Sequence, residues 1–355
     1  MFRMAGRGER SRHPMRQRSS VEERLRERLE QVNGGGKAPS GAKGPQGRDA
    51  TTPSEIPSPG WWSIAKRVAT ETNNDRVMTE AAGITFYTLL SLFPGLTALV
   101  SIYGLFADRA TIQKHLADLS GFLPEGGMNI INEQLERLVS SPQEALGFGA
   151  VVGLLAALWS ANQGTKAMMD ALNIVYEEDE KRGFIYRTVL SLCMTFGALI
   201  FVIVAMAGVI AVPVVLNFLW LGEGVETVIR LARWPILLVA ITVLLAVLYR
   251  YGPSREPARW RWVSYGGVFA AILWVIVSAG FTFYVGHFGN YDATYGSLGA
   301  VIGFMTWIWI SSIVVLVGAE LNAEMEHQTA RDTTTGPEKR LGDRGATMAD
   351  TVAKH

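Results

Sequence analysis

Five polar residues stand at matching positions in otherwise apolar runs: Glu80, Asn162, Lys166, Glu320 and Asn322. A charge deep in hydrocarbon costs about 2.5–3.5 kcal/mol on insertion scales, so such groups face protein or water. With Ser160, they could meet as a polar cluster in the inner third of a helical bundle, where Lys166 would pair with Glu320 or Glu80. Three chemistries suit that set: a cytoplasm-side site for an anionic or amphipathic substrate, a proton-coupled carboxylate, or a structural lock between helices. Each residue could also sit separately at the headgroup interface. A second constellation lies in "NYDATYGSLGA", residues 290–300, between two strongly hydrophobic runs. Ser297 suits an N-cap, Tyr291 and Tyr295 suit an interfacial aromatic belt, and Asp292 has no cation in its own loop. Arg230 or Arg233 is the expected partner of Asp292. If Asp292 points into an open vestibule, these four residues form an outer gate. Pro94 removes a backbone hydrogen bond inside an apolar run and is expected to kink it.

Other chemistries find little support. The histidines, His13, His115, His287, His327 and His355, form no His-x-His or His-Glu-x-x-His spacing. "GGGK" at 34–37 lacks the spacing of a phosphate loop, and there is no Gly-x-Ser-x-Gly elbow. The single cysteine, Cys193, sits in an apolar run and is expected to be buried and inert. No catalytic residue, metal site, cofactor or nucleic-acid partner is expected, and ribonuclease or hydrolase chemistry is disfavoured.

The elements that must position these residues follow from the charge distribution. Hydrophobic residues make up 49% of the 355 and charged ones only 18%, against about 25% charged in soluble domains. Residues 146–162 carry no charge at all. The expected architecture is all-α: a polytopic membrane protein with six transmembrane helices at about 81–106, 145–165, 185–212, 234–251, 263–287 and 298–322. Amphipathic helical segments are expected on the outer side, at 110–141 and, shorter, at 213–230. "WWSIAKRVAT" reads as an interfacial N-terminal helix, with Trp61, Trp62, Ile64, Ala65 and Val68 on one face. "MMDALNIVYEEDEKR" extends the second span beyond the membrane as a helix. Gly149-x-x-x-Gly153 and Gly299-x-x-x-Gly303 would let helices approach closely.

Residues 1–58 are rich in Arg, Gly, Pro and Ser and read as a disordered basic tail, with one short amphipathic island at 20–32. Residues 328–355 read as a second disordered tail. The start of the chain has no apolar signal region. Basic residues concentrate on the N-terminal side and after the second and fourth spans, which places both termini in the cytoplasm and residues 290–300 outside.

Three stretches carry a resemblance. "AAGITFYTLLSLFP" (81–94), "WSANQGTKAMMDALNIVY" (159–176) and "FGNYDATYGSLGAVIGFMTWIWISSIVVLVGAELNAE" (288–324) resemble the YihY/BrkB family of bacterial membrane proteins over about residues 75–326. The resemblance implies a six-helix inner-membrane protein with both termini inside. It also implies roles in serum resistance and envelope lipid handling, and a transport activity. The family once carried the label ribonuclease BN, and the resemblance supplies no catalytic residues.

The function expected is envelope maintenance, as a transporter or flippase-like protein for an amphipathic or anionic substrate. The alternative is a non-transporting scaffold that organises envelope proteins through its tails. Expected partners are membrane lipids, with anionic headgroups at the basic N-terminal region. Six helices are few for a secondary transporter, which leaves room for a homo-oligomer.

Overall fold

A computed structural model describes residues 46–106, 143–218, 223–288 and 298–353. These include a short helix, α1 (Ser58–Asn74), and six long ones: α2 (Val77–Phe106), α3 (Gln143–Val175), α4 (Phe184–Phe218), α5 (Glu223–Tyr251), α6 (Trp260–Phe288) and α7 (Leu298–Gln328), with single turns of helix at Pro53–Glu55 and Thr347–Asp350. Each of the six expected segments falls inside one long helix. Phe184–Ala205, Trp260–Val285 and Val301–Gln328 are long and apolar enough to cross a membrane. Among the described residues there is no strand, and only one isolated β-bridge, Ala258 to Thr334. In lipid, a helix satisfies its backbone groups internally, which is why such apolar runs take this form.

The helix ends are set by local chemistry. Beyond α3, Glu177 takes a left-handed φ of 52°. Glu178 N–H then bonds Asn173 C=O, and Glu177 N–H bonds Ile174 C=O. That pair of bonds is a Schellman cap, and it closes the expected extension of the second span at Val175. Arg76, also at φ 52°, makes the turn between α1 and α2. Pro94 lies inside α2, as expected of the first span.

α7 is the hub: it packs against α1, α2, α3 and α6, while α4 touches α3 and α5. The apolar core gathers at one end of the bundle. It contains Val77, Ala81 and Ile84 of α2, Leu172 and Val175 of α3, Leu245 and Tyr249 of α5, Val263 and Ala270 of α6, and Leu316 and Ala319 of α7. Leu172 and Leu316 are fully buried, each worth about 1.5–3 kcal/mol. Two glycines let α6 and α7 approach. A Cβ on Gly266 would stand 2.2 Å from Gly318 O, and one on Gly318 would stand 2.6 Å from the Tyr249 hydroxyl. By contrast, Gly303 of the expected small-residue motif has open space around it.

The core end also carries the described parts of both tails, contrary to the disorder expected of 1–58 and 328–355. Gln328 donates to Gln46 O at 2.9 Å and Thr329 to Ala50 O at 2.7 Å. Ala330 N–H bonds Arg48 O. Arg344 donates to the carbonyls of Ala330 and Arg331, and Asp350 accepts from the backbone of Gly342, Arg344 and Gly345. Composition suggested disorder because these segments are poor in apolar residues. Backbone bonding to the ends of α3, α6 and α7 orders residues 46–57 and 329–353 instead.

Three further expectations change. Residues 213–218 and 223–230 continue α4 and α5 rather than forming a separate outer segment. Cys193 is exposed, because α4 turns it outward among apolar neighbours. α1 packs on α7 through Ile64, Trp61 and Val68, so its apolar face meets protein. The outer segment at 110–141, the island at 20–32 and the loop with Tyr291, Asp292, Tyr295 and Ser297 lie outside the described residues.

Candidate functional site

The polar residues singled out in the sequence divide among three neighbours. Asn322 is fully buried on α7 and accepts from Gly266 N–H at 2.8 Å. Its amide donates to Val263 O at 3.2 Å. It therefore clamps the first turns of α6, beside the Gly266–Gly318 crossing. Lys166 does not pair with Glu320 or Glu80. Its ammonium donates to Thr188 Oγ1 at 3.3 Å and stands 5.6 Å from the Phe184 ring centre, both on α4. Helix phase explains this: Lys166 and Thr165 face α4, where Thr165 meets Thr195 at 2.8 Å. Glu80 is half-buried, and its charged neighbour is Asp170. Ser160 and Asn162 are buried, and Asn162 Oδ1 has no partner among the described residues.

Glu320 is fully buried. Neither of its carboxylate oxygens makes a well-formed hydrogen bond among the described residues. The group that faces it is a carboxyl, Asp75, in the turn between α1 and α2. The same end is held together by charged contacts that sequence reading missed. Arg67 of α1 is hydrogen-bonded to Glu324 and donates to Gln328 at 2.7 Å. Arg255 forms a two-pronged pair with Glu326 at 2.7 and 3.0 Å, with both side chains wholly buried. Its guanidinium also lies 4.1 Å from the Tyr176 ring centre. Glu326 further accepts from Thr333 at 2.8 Å. The signal was present in the spacing of Glu320, Glu324 and Glu326 with Gln328, which crowd the last turns of an otherwise apolar helix. Their cationic partners come from α1 and the α5–α6 loop, distant in sequence.

The tryptophans of α7 pack. Trp307 donates to Ser278 at 3.3 Å and lies against Trp274, and Trp309 donates to Met78 O at 2.9 Å. Between α1 and α6 runs an apolar groove of about 370 Å³, lined by Trp61, Ser264, Tyr265, Val268, Phe269 and Leu321. Arg261, Ser264, Tyr265 and Val268 follow i, i+3, i+4, i+7 spacing, so an exposed arginine stands on the same face one turn before the groove. Exposed Lys66 of α1 lies over the Trp62 ring at 5.3 Å. Among the described residues no cluster of three or more His, Cys, Asp or Glu could hold a metal ion.

The family profile described as Virulence factor BrkB matches residues 68–342. The chain belongs to the BrkB family. It is 30% identical over 253 residues to the putative ribonuclease-like protein YfkH of Bacillus subtilis, covering 69% of this chain and 88% of that one. It is 31% identical over 283 residues to a UPF0761 membrane protein of Alkalilimnicola ehrlichii, covering 76% of this chain and 60% of the relative. It is 27% identical over 263 residues to the UPF0761 membrane protein VV0203 of Vibrio vulnificus, covering 72% and 80%. No solved structure matches. Family membership and three membrane-capable helices make the chain a membrane protein of the BrkB/UPF0761 type.

Proposed function

We propose that this BrkB protein is a non-enzymatic, six-span protein of the cytoplasmic membrane, with its core end in the cytoplasm. It would serve envelope maintenance by moving an amphipathic, anionic molecule. The observation that carries this reading is the groove between α1 and α6. Its lining is apolar, and exposed Arg261 lies on the same face of α6 one turn before it. That arrangement suits an acyl chain lying in the groove and an acidic headgroup at the rim. The basic side of the bundle fits a cytoplasmic face. The predicted inner cluster becomes narrower here: Glu320 lies next in sequence to Leu321 of the groove, whereas Asn162 and Lys166 lie on α3, which does not line it.

The test is reconstitution of the full chain into vesicles holding a fluorescent anionic phospholipid, with scrambling read by an impermeant quencher. The expected result is faster scrambling than in protein-free vesicles, reduced about tenfold by Arg261→Glu or Trp61→Ala, which is about 1.4 kcal/mol. Rates equal to those of empty vesicles would overturn the reading. The scaffold alternative predicts instead that removal of residues 1–45 abolishes the cellular phenotype. The cut belongs at 45 because residues 46–57 are packed into the fold.

A further inference from the structure

A fully buried carboxyl whose oxygens lack hydrogen bonds demands a physical account. Burying a carboxylate is tolerated when a cation or several donors face it, and otherwise the group gives up its charge. Around Glu320 the facing groups are mostly acidic. Asp75 comes from the α1–α2 turn, Glu71 from α1 and Glu324 from α7 itself. Glu177, beyond α3, acts on Asp75. The nearby cations are committed elsewhere: Arg67 to Glu324 and Gln328, and Arg255 to Glu326. His327 lies 3.6 Å from Glu324. A second buried polar atom lies nearby: the Tyr176 hydroxyl, at the end of α3, makes no well-formed hydrogen bond among the described residues and has Arg255, Glu326, Asn322 and Glu320 around it. Tyr249 of α5 lies beside Tyr176, with its own hydroxyl given to Val315 O at 2.7 Å.

We propose that Glu320 and Asp75 form a proton-binding site, in which the two carboxyls hold one proton between them and exchange it through Asp75. Two adjacent carboxyls cannot both ionise in a buried site, and a shared proton removes the repulsion. Asp75 is the half-buried member and the route to solvent. Burial pushes its carboxyl up to about 6; the Glu320 carboxyl that faces it works in the opposite direction, and the charges of Glu71, Glu177 and Glu324 push it further up. The turn that carries Asp75 is fastened on both sides to α7, by Arg67 to Glu324 and by Trp309 to Met78 O. Loss of the proton places two negative charges between that turn and α7. It loosens α1, the helix that carries Trp61 of the groove. The proton site does not depend on the groove carrying substrate, and its test reads no transport.

The sign follows from linkage. A carboxyl raised in the folded state stabilises the fold fully below its unfolded pKa, near 4, and that stability is lost as pH rises through about 6. The test is the thermal unfolding midpoint of the full chain in nanodiscs, from about pH 4 to about pH 8 at fixed ionic strength. Wild type should show a downward step that begins near pH 4 and is complete near pH 6. Glu320→Gln should make the fall with pH shallower, because one carboxyl of the pair rather than two then gives up a proton. Asp75→Asn should remove it. Asp75 lies in a turn where asparagine is well tolerated, so this variant stands if Glu320→Gln fails to fold. Variants that lower stability uniformly and leave the step in place would overturn the proposal. So would stability that follows sodium or potassium concentration at constant pH, which would mean a metal cation fills the site.

Discussion

α4 and α7 are both apolar helices long enough to cross a membrane, yet they are covered by different things. Along α4, Phe196, Ile200, Ile203 and Val204 are exposed, with Ile203 65% open. α7 runs through the middle of the bundle, with Leu316, Ala319 and Ala323 closed off entirely. Their apolarity is similar, so hydrophobicity alone does not tell a lipid-facing helix from a central one. The polar residues do. The last three turns of α7 hold Glu320, Asn322, Glu324, Glu326 and Gln328, all buried. Such a set can be buried only where several other elements supply partners. The described part of α4 buries only small hydroxyls, Ser191 and Thr195, which bond back to their own helix and need few partners.

The sharpest way to break this contrast is to strand a charge on α7. Arg255 and Glu326 are both fully buried, and removing one partner of such a pair costs about 3–5 kcal/mol. Glu326→Ala should therefore abolish monodisperse protein in detergent, measured by size-exclusion chromatography of the fluorescently tagged chain. The paired change Arg255→Met with Glu326→Leu should restore it largely, since apolar replacement of a whole buried pair is often tolerated. If the single variant behaves as wild type, the core end is wetter than the structure shows.

Next in size is the α6–α7 crossing. Gly266→Ala would drive a methyl to 2.2 Å from Gly318 O, a backbone atom that cannot swing aside. Overpacking of this kind costs about 1–3 kcal/mol and should lower the unfolding midpoint clearly. Gly303→Ala, where nothing lies within 4 Å of the new methyl, is its control and should change little. Equal effects at both positions would mean that backbone entropy, not close approach, sets the cost.

The contrast also shows what sequence could carry. The six long helices were legible to within a few residues at most ends, because long apolar runs admit one backbone solution in lipid. The burial of Glu320 and Asn322 was legible too, from their depth in an apolar run. Their partners were not. Lys166 shares the depth of Glu320, but side-chain direction around α3 sends it to Thr188 on α4. Asp75 looked like an ordinary turn residue, and only the packing of α1 on α7 brings it to Glu320. The ordered segment 329–353 was hidden for another reason. Its stability comes from backbone and polar side-chain bonds to distant loops, such as Thr347 N–H to Glu178 at 2.6 Å, which leave no hydrophobic period to read.

The smallest expected effect is the most telling about α4. Ile200, Ile203 and Val204 are exposed at 60%, 65% and 63% in the single chain. If lipid covers them, truncation exchanges one apolar contact for another, since lipid tails are as apolar as the side chains they meet. Ile203→Ala should then shift stability by no more than about 0.5 kcal/mol, against about 2–5 kcal/mol for a buried isoleucine. Measured in nanodiscs at two protein-to-lipid ratios, the wild-type midpoint should not depend on the ratio. A loss of core size in Ile203→Ala, together with a midpoint that rises with protein density, would mean that another chain covers this face. The outward side of α4 would then be the seam of a homo-oligomer, and the difference between α4 and α7 would be one of partner rather than of burial.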